Sequence, residues 1–363
     1  MKRILNTQVS ILLALSLVLI LASPVAGQST RGNPETQGVE RMQKSPQFKL
    51  ATVAPTGSSL EKILQQMGQE WRRAPGGGVD LVVYAGGVQG GEADTVRKLR
   101  QGSLDAALLT VVGLSDIHDS VEALQNMPLM FRSLDEVDYV GEKLRPRIEK
   151  NLRDKGYVVL FWADLGWVRF FSRDRIITPA DLKKAKLFSW AGNIDEADIL
   201  KAAGFNPVPL ETADILPSLN TGLINAVALP PYYAAALQIH KSAPHMLEMN
   251  WGPLVGGLVV RERSWNKLSP ETQRALARTA WQAGERMRAQ NRSESDRAVK
   301  AMAANGLKVH KLTPAQEAEW LAAVRAAYPT IRGRIVPADL FDEVERHLAE
   351  YRKQNRGAVE ARR

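Results

Sequence analysis

The chain has 363 residues, with 48 lysines and arginines against 39 aspartates and glutamates, and it contains no cysteine. The lack of cysteine excludes disulfides, cysteine-ligated zinc and thiol nucleophiles. The formal net charge of +9 is modest and acids are interspersed among the cations, which is typical of solvated helix faces and argues against nucleic-acid binding.

The N-terminal 27 residues have the pattern of a secretory signal peptide. Lys2 and Arg3 precede an apolar run at residues 9–22, and small residues follow it. The run is shorter than the roughly 20 residues of a membrane-spanning helix, although an uncleaved anchor remains an alternative. Residues 28–45 are polar and show no apolar period, which predicts a disordered tether.

Strand and helix patterns then alternate. Short apolar runs predict strands, and apolar residues at helical spacing predict helices, the first of them behind a serine cap and the second ended by Gly102. In chain order these segments are FKLATVA, SSLEKILQQMGQEWRR, VDLVVYA, ADTVRKLRQGS, LDAALLTVV, VDYVGEKLRPRIEKNLRDK and GYVVLFWADL. The alternation predicts parallel or mixed sheets covered by helices.

A second series begins after Gly166. Its segments are WVRFFS, TPADLKK, AKLFSW, IDEADILKAAG, NPVPL, ETADILPSLNTG, INAVAL and PPYYAAALQIHK. Residues 270–305 then predict one helix about 50 Å long, enough to brace two lobes. Two more helices, TPAQEAEWLAAVRAAY and PADLFDEVERHLAEYRKQ, follow, and residues 353–363 are expected to fray.

Motifs for catalysis are missing from the sequence. There is no Gly-x-Ser-x-Gly elbow, and the glycine-rich AGGVQGGE lacks both nucleotide-binding patterns. No two of the histidines have the spacing of a zinc hydrolase; they are His118, His240, His245, His310 and His347. Asp164 and Glu211 each follow a predicted strand but do not establish an acid–base pair. We therefore predict a binding protein without catalytic residues, metal or cofactor.

Six segments resemble, in order, the periplasmic solute-binding subunits of tripartite ATP-independent periplasmic (TRAP) transporters, of the dicarboxylate-binding-protein type. They are FKLATVAPTGSSLEK, VVYAGGVQGGEADTVRKLRQGSLDAALLTVVGL, MPLMFRSLDEVD, TPADLKKAKLF, AAGFNPVPLETADILPSLNTGLINAV and GGLVVRERSWNKLSPETQ. The resemblance covers nearly all of the chain after the predicted signal peptide. It implies a ligand enclosed between two α/β lobes and delivered to permease subunits in the membrane.

The resemblance also implies an architecture and a location. The fold would be a two-lobe, type II-like periplasmic binding protein with mixed sheets and one long helix across both lobes. Lobe I would comprise residues 46–164 and about 253–290, and lobe II residues 165–252 and about 291–352. The protein would be periplasmic, and we expect a monomer, with a dimer as the alternative.

The usual carboxylate-binding residues of that family are replaced here. The arginine expected two residues after Lys186 is Phe188, and a second arginine position falls on Val168, with Arg169 one residue later. The family's ligand-binding asparagine corresponds to Leu229. Because burying an unpaired charge costs several kcal/mol, these exchanges predict a ligand more hydrophobic or amphipathic than a dicarboxylate.

The predicted ligand-binding residues are Pro55, Gln89, Thr110, Trp167, Val168, Arg169, Phe188, Trp190, Leu229, Tyr232 and Trp251. Three alternatives remain open at this point. An organic carboxylate could be bound through a shifted clamp at Arg169 or Lys186. The chain could instead be a secreted hydrolase working through Asp164 and Glu211, or a scaffold or sensor subunit.

Overall fold

The structure is a computed structural model that describes residues 45–355, with the side chains of residues 194–196 left out. The predicted signal peptide, the tether up to residue 44 and the tail from residue 356 lie outside the described residues. None of the helices in the described part of the chain combines the length and the apolar character needed to cross a bilayer.

The described residues form one mixed sheet with helices packed against it. The strands are β1 (Gln47–Thr52), β2 (Asp80–Tyr84), β3 (Ala106–Thr110), β4 (Tyr157–Ser172), β5 (Lys186–Trp190), β6 (Asn206–Leu210), β7 (Ala226–Leu229), β8 (His245–Arg261) and β9 (Lys308–His310). The helices are α1 (Ser59–Arg72), α2 (Glu92–Gln101), α3 (Val111–Ser115), α4 (Leu134–Asp154), α5 (Pro179–Lys184), α6 (Ile194–Ala202), α7 (Ile215–Thr221), α8 (Pro231–Ala236), α9 (Glu262–Trp265), α10 (Pro270–Ala304), α11 (Pro314–Arg334) and α12 (Ala338–Gln354).

Two parallel groups of strands make up the ends of the sheet. The strand order is β2-β1-β3-β8-β4-β7-β5-β6, with β9 beside β8. In the first half, β1 is parallel to β2 and β3; in the second half, β5 is parallel to β6 and β7. The long antiparallel strands β4 and β8 join the halves. This confirms the predicted mixed α/β class, in which helices shield the faces of buried strands.

The predicted strands GYVVLFWADL and WVRFFS are one strand, so the prediction of a new series after Gly166 is corrected. The pairing of β4 with β8 shifts register between Asp164 and Trp167. Gly166 lies in this irregularity with φ of +82°, a conformation that glycine adopts without strain. A bulge of this kind bends a strand without ending it, so β4 passes from one half into the other.

Two other strands differ from the sequence prediction, one in its end and one in its existence. The predicted strand at residues 104–112 ends at Thr110, because the Thr110 side chain accepts a hydrogen bond from the Val112 amide and starts α3. The 17-residue strand β8 was not predicted. Its glycines and Pro253 interrupt the apolar pattern, and such residues usually indicate turns.

The long helix α10 is confirmed, with 35 residues. It packs against α1 of the first half and α8 of the second, and it lies along β4. The Asn291 side-chain amide donates to the Asp164 carbonyl oxygen at 2.8 Å, and the Arg292 guanidinium donates to the Asp164 carboxylate at 2.7 Å. The helix is therefore fixed to β4 close to the bulge between the halves.

The last two helices return the chain to the first half. On α11, Trp320 is buried among apolar residues of the second half, whereas Ile331 belongs to the core of the first. On α12, Arg352 donates to Glu136 of α4 at 2.8 Å. The predicted boundaries place residues 291–352 in the second lobe; within this range, helix α12 packs against α4 and α11. Helix α12 continues to Gln354, inside the segment predicted to fray.

Candidate functional site

Three small cavities lie where the two halves of the sheet face each other. Their volumes are about 90, 20 and 10 Å³, and Trp190 lines all three. We call this region the cleft; the first half contributes Val53 and Thr110, and the second contributes Leu229 and Tyr232. The cleft lies at the carboxyl ends of β1, β3 and β5, where α/β proteins commonly bind ligands.

Trp190 is the last residue of β5 and its ring is half-buried. The ring makes an edge-to-face contact with Phe188, with 5.4 Å between ring centroids. Phe188, which the resemblance aligns with the family's arginine, is 4% exposed and lines none of the three cavities. Side chains at i and i+2 share a face of a strand, so the residue nearer the strand end, Trp190, forms the cleft wall in front of Phe188.

The two halves touch across the cleft. The Tyr233 hydroxyl donates to the Val53 carbonyl oxygen at 3.2 Å, and this bond is buried. The Glu211 carboxylate lies against Gly91, where an added Cβ would be 1.9 Å from a carboxylate oxygen. A side chain at position 91, at the N-terminus of α2, would displace the Glu211 carboxylate from this contact. The described arrangement is one in which the halves are closed on each other.

Glu92 is a buried acid that the sequence analysis did not select. Its carboxylate accepts hydrogen bonds from the Thr110 amide at 2.7 Å, the Thr110 hydroxyl at 2.5 Å and the Gly113 amide at 2.8 Å. Burial raises the pKa of Glu92, and these hydrogen bonds act against that shift. Glu92 therefore fastens α2 to the turn between β3 and α3. In the sequence, the only sign of this role is that Glu92 directly follows Gly90 and Gly91 at the start of a predicted helix.

The cleft contains polar groups but no cation. Among the described residues that line the three cavities, the charged side chains are Glu92 and Glu211, and none is lysine or arginine. Burial, together with Asp94 and Asp214, raises the pKa of Glu211. The Tyr232 hydroxyl is buried and has no hydrogen-bond partner within residues 45–355. Tyr232 lines both the 20 Å³ cleft cavity and a surface groove that includes Glu294.

Several predicted site residues do line the cleft. Val168, Leu229 and Trp251 line the 90 Å³ cavity, and Thr110, Leu229 and Tyr232 line the 20 Å³ cavity. Except for Thr110 and the Tyr232 hydroxyl, these contacts are aromatic or aliphatic. The cleft wall is therefore mainly apolar on the side of the second half.

Other predicted residues are engaged elsewhere. Gln89 accepts a hydrogen bond from Lys98 at 2.9 Å, the Pro55 carbonyl accepts one from the Ser58 amide, and Trp167 packs against the core of the first half. The Arg169 guanidinium is 3.4 Å from the Asn250 side-chain oxygen, and the Lys186 ammonium donates to the Gly222 carbonyl at 3.1 Å. Neither cation of the shifted-clamp alternative lines the three cavities.

The carboxylates of the hydrolase alternative have separate roles. Asp164 is buried, accepts from Arg292 and from the Gly166 amide, and lines none of the cleft cavities. Glu211 lines the 10 Å³ cavity. No cluster of three or more potential metal-ligating side chains occurs in the part of the chain that the structure describes.

A groove of about 670 Å³ crosses α1, α8 and α10 behind the cleft. Its cations, Lys62 and Arg297, are exposed, and Glu294 accepts a hydrogen bond from Ser59. Charges of both signs on an exposed surface are solvated and weakly selective. We therefore place the candidate site in the cleft, where the lining residues come from both halves and include the buried Thr110, Leu229 and Tyr232.

Comparisons with known proteins agree with this geometry. The profile of the family described as bacterial extracellular solute-binding protein, family 7, matches residues 50–333. The 2,3-diketo-L-gulonate-binding periplasmic protein YiaO of Escherichia coli is 25% identical over 241 residues, which cover 64% of this chain and 71% of that protein. The C4-dicarboxylate-binding periplasmic protein DctP of Rhodobacter capsulatus is 20% identical over 289 residues, covering 79% and 85%.

Solved structures share the fold. A TRAP periplasmic solute-binding protein from Ralstonia eutropha with bound (S)-2-acetolactate superimposes with a TM-score of 0.78. The two chains are 22% identical, and the match covers 84% of this chain and 99% of the other.

Proposed function

We propose that this chain, which belongs to family 7 of the bacterial extracellular solute-binding proteins, captures an organic solute between its two halves for a TRAP permease. Members of this family are substrate-binding receptors of TRAP transporters and not enzymes. The family is periplasmic, and a periplasmic location follows for this chain if the predicted signal peptide is functional.

The proposed ligand is an organic acid with a larger apolar part than a dicarboxylate. Related proteins are named for diketogulonate and C4-dicarboxylates, and the Ralstonia structure contains acetolactate. The observation that carries the proposal is the lack of lysine and arginine among the described residues lining the cleft. Each carboxylate enclosed there would lack a counterion beside Glu92, at a cost of several kcal/mol, so a dicarboxylate meets this cost twice and a monocarboxylic acid once.

Aromatic and aliphatic walls would supply most of the binding energy. Trp190, Val168 and Leu229 border the cavities, and apolar burial is worth roughly 25 cal/mol per Å². The Tyr232 hydroxyl would bind the polar end of the solute. The cavities are smaller than the roughly 300 Å³ of typical ligand pockets, so binding requires the halves to separate about β4 and β8 and close again around the solute.

A calorimetric titration of the purified chain tests the proposal. The panel comprises succinate and malate as dicarboxylates, and phenylacetate and 4-methyl-2-oxopentanoate as apolar monocarboxylates. We expect the apolar acids to bind at least about tenfold more tightly, which is a difference of about 1.4 kcal/mol. Tight binding of succinate or malate would contradict the proposal.

The shifted clamp is tested with Arg169→Ala. Because Arg169 lines none of the three cavities, we expect affinity for the best ligand to change by less than about twofold. A collapse of acid binding in this variant, with Arg173→Ala as a matched control on the same strand end, would establish the clamp instead. Native mass spectrometry of the freshly purified protein would identify any solute that copurifies.

A further inference from the structure

A larger cavity lies beside the cleft, and β5 contributes Leu187, Phe188, Ser189 and Trp190 to its lining. Its volume is about 530 Å³, within the usual range for ligand pockets. It is enclosed by α5, α6, β5 and α11, and we call it the α6–α11 cavity. Its lining includes Phe170, Ser189, Phe205, Trp251, Trp320 and Ala323. Trp190 and Trp251 border both this cavity and the cleft, so the two are adjacent but distinct.

The floor of the α6–α11 cavity is a rigid aromatic cluster. Phe170 stacks on Trp320 at 6.0 Å and meets Trp251 edge-to-face at 5.2 Å, and the two indoles are 5.9 Å apart. The Trp320 indole nitrogen donates to the Ile177 carbonyl oxygen at 2.7 Å. The floor therefore keeps its shape, and it presents aromatic faces to whatever occupies the cavity.

Small side chains on the opposite walls keep the space open. Helix α11 contributes Ala323, Ala326 and Ala327, and α6 contributes Ala202 at its end, followed by Ala203. Ala202, Ala323 and Ala326 are exposed, so these walls face solvent as well as the cavity. Their small side chains leave room above the aromatic floor for another molecule.

Two polar groups indicate which chemical groups the bound molecule carries. Ser189 is 3% exposed, lines the cavity, and its hydroxyl has no hydrogen-bond partner within the described chain. A buried hydroxyl without a partner is unfavourable and gains from any group that binds it. Lys183 is exposed, with its ammonium 5.6 Å from the Phe205 ring centroid, and is the only ionisable side chain among the described lining residues.

We propose that the α6–α11 cavity is a second binding site, which takes a monocarboxylic acid with an aliphatic or aromatic body. The body lies over Phe170, Trp251 and Trp320, the carboxylate pairs with Lys183 at the rim, and Ser189 binds a polar atom inside. The two cavities share part of their lining, including Trp190 and Trp251, whereas Phe170, Trp320 and the wall formed by α11 line only the α6–α11 cavity. Binding at this site therefore does not depend on the ligand proposed for the cleft.

Octanoate is the probe, titrated into the full chain by calorimetry and followed in parallel by tryptophan fluorescence. Ala323→Phe places a ring at the cavity wall, and Ala322→Phe, on the same helix and equally exposed but outside the lining, is its matched control. We expect Ala323→Phe to weaken octanoate binding by about tenfold or more, and Ala322→Phe to leave it within about twofold.

Further variants separate this site from the cleft. Lys183→Gln should weaken octanoate more at low than at high salt, while leaving binding of neutral octanol unchanged, because an exposed ion pair is screened. Val168→Phe fills the 90 Å³ cleft cavity and should leave octanoate binding at this site intact. Equal octanoate affinity in Ala323→Phe and Ala322→Phe overturns the proposal. Loss of octanoate binding only in Val168→Phe also overturns it, and then assigns octanoate to the cleft, in support of the proposed function.

Discussion

The Tyr233 hydroxyl, at the start of α8, donates a buried hydrogen bond to the Val53 carbonyl oxygen, which follows β1. The bond links the second half of the molecule to the first. Burial raises the pKa of Tyr233, so the hydroxyl remains a donor throughout the physiological range. Since this contact exists only while the halves are together, it stabilises the closed form relative to an open one.

Replacing Tyr233 with phenylalanine should therefore weaken ligand binding. One buried hydrogen bond is worth about 1 kcal/mol, so we expect Tyr233→Phe to raise the Kd of the cleft ligand about fivefold. Calorimetry measures the affinity, and small-angle scattering measures the open fraction. Tyr157→Phe, in β4 at the distal part of the first half, is the control; an equal loss of affinity there would indicate a general effect and not one of closure.

Removing the Trp190 indole should enlarge the cleft. Trp190 lines the three cleft cavities and the α6–α11 cavity. We expect Trp190→Ala to lower the free energy of unfolding by about 2 kcal/mol, less than for a fully buried tryptophan, and to admit bulkier acids. Urea denaturation and the calorimetric panel check both effects. Trp281→Ala, at a 59% exposed site on α10, should change neither.

The ion pair between Asp164 and Arg292 should contribute to stability. The Asp164 side chain is 6% exposed and Arg292 also binds Asp138, so Asp164→Ala leaves the guanidinium with one acidic partner. Breaking a buried pair costs 3–5 kcal/mol, and partial solvation of Arg292 reduces this to about 2 kcal/mol. Urea denaturation measures the change. The exposed pair of Arg332 and Asp342 offers the comparison, and Asp342→Ala should leave stability almost unchanged.

A histidine pair should make the protein less stable in acid. The His245 and His310 ring nitrogens are 2.8 Å apart, which joins β8 to β9. Burial lowers the pKa of both rings, and neighbouring cations add to the shift. Below the unfolded-state pKa of about 6.5, the unfolded chain binds protons that the folded chain does not, so stability falls as the pH decreases.

Urea midpoints at pH 7.5 and about pH 5.5 test this pair. We expect a smaller difference between the two midpoints in His310→Gln than in the parent chain. His118→Gln, whose ring caps a turn far from β9, should keep the parental difference. An unchanged pH dependence in His310→Gln would show that other groups cause the loss of stability in acid.

Local sequence patterns predicted the helices and strands whose apolar period runs without interruption. Helix α10 shows a sustained helical period, and α1 begins at Ser59, directly after Ser58, whose side chain caps the helix as predicted. The family followed from the order of six segments, each of which is weak alone. Strand β8 was missed because glycine and proline mask its apolar run, although flanking strands hydrogen-bond it on both sides.

The cavities could not be predicted because they depend on residues far apart in the chain. Alanines are common in any helix, and those of α11 acquire significance only from the aromatic floor formed by Phe170 and Trp251. Likewise, the resemblance points to Phe188 as the replaced arginine, but only the packing shows that Trp190 stands between Phe188 and the cleft. Glu92 looks like an exposed helix-start acid and is buried by α3.

The chain crosses between the halves on β4, β8 and α11, so neither half is a continuous stretch of the gene. A single recombination event cannot exchange one half for that of a relative, because any breakpoint would leave each half with strands or helices from both parents. Exchanging one wall of the cleft for that of a relative would therefore take at least two breakpoints, and the new wall would still have to match the other.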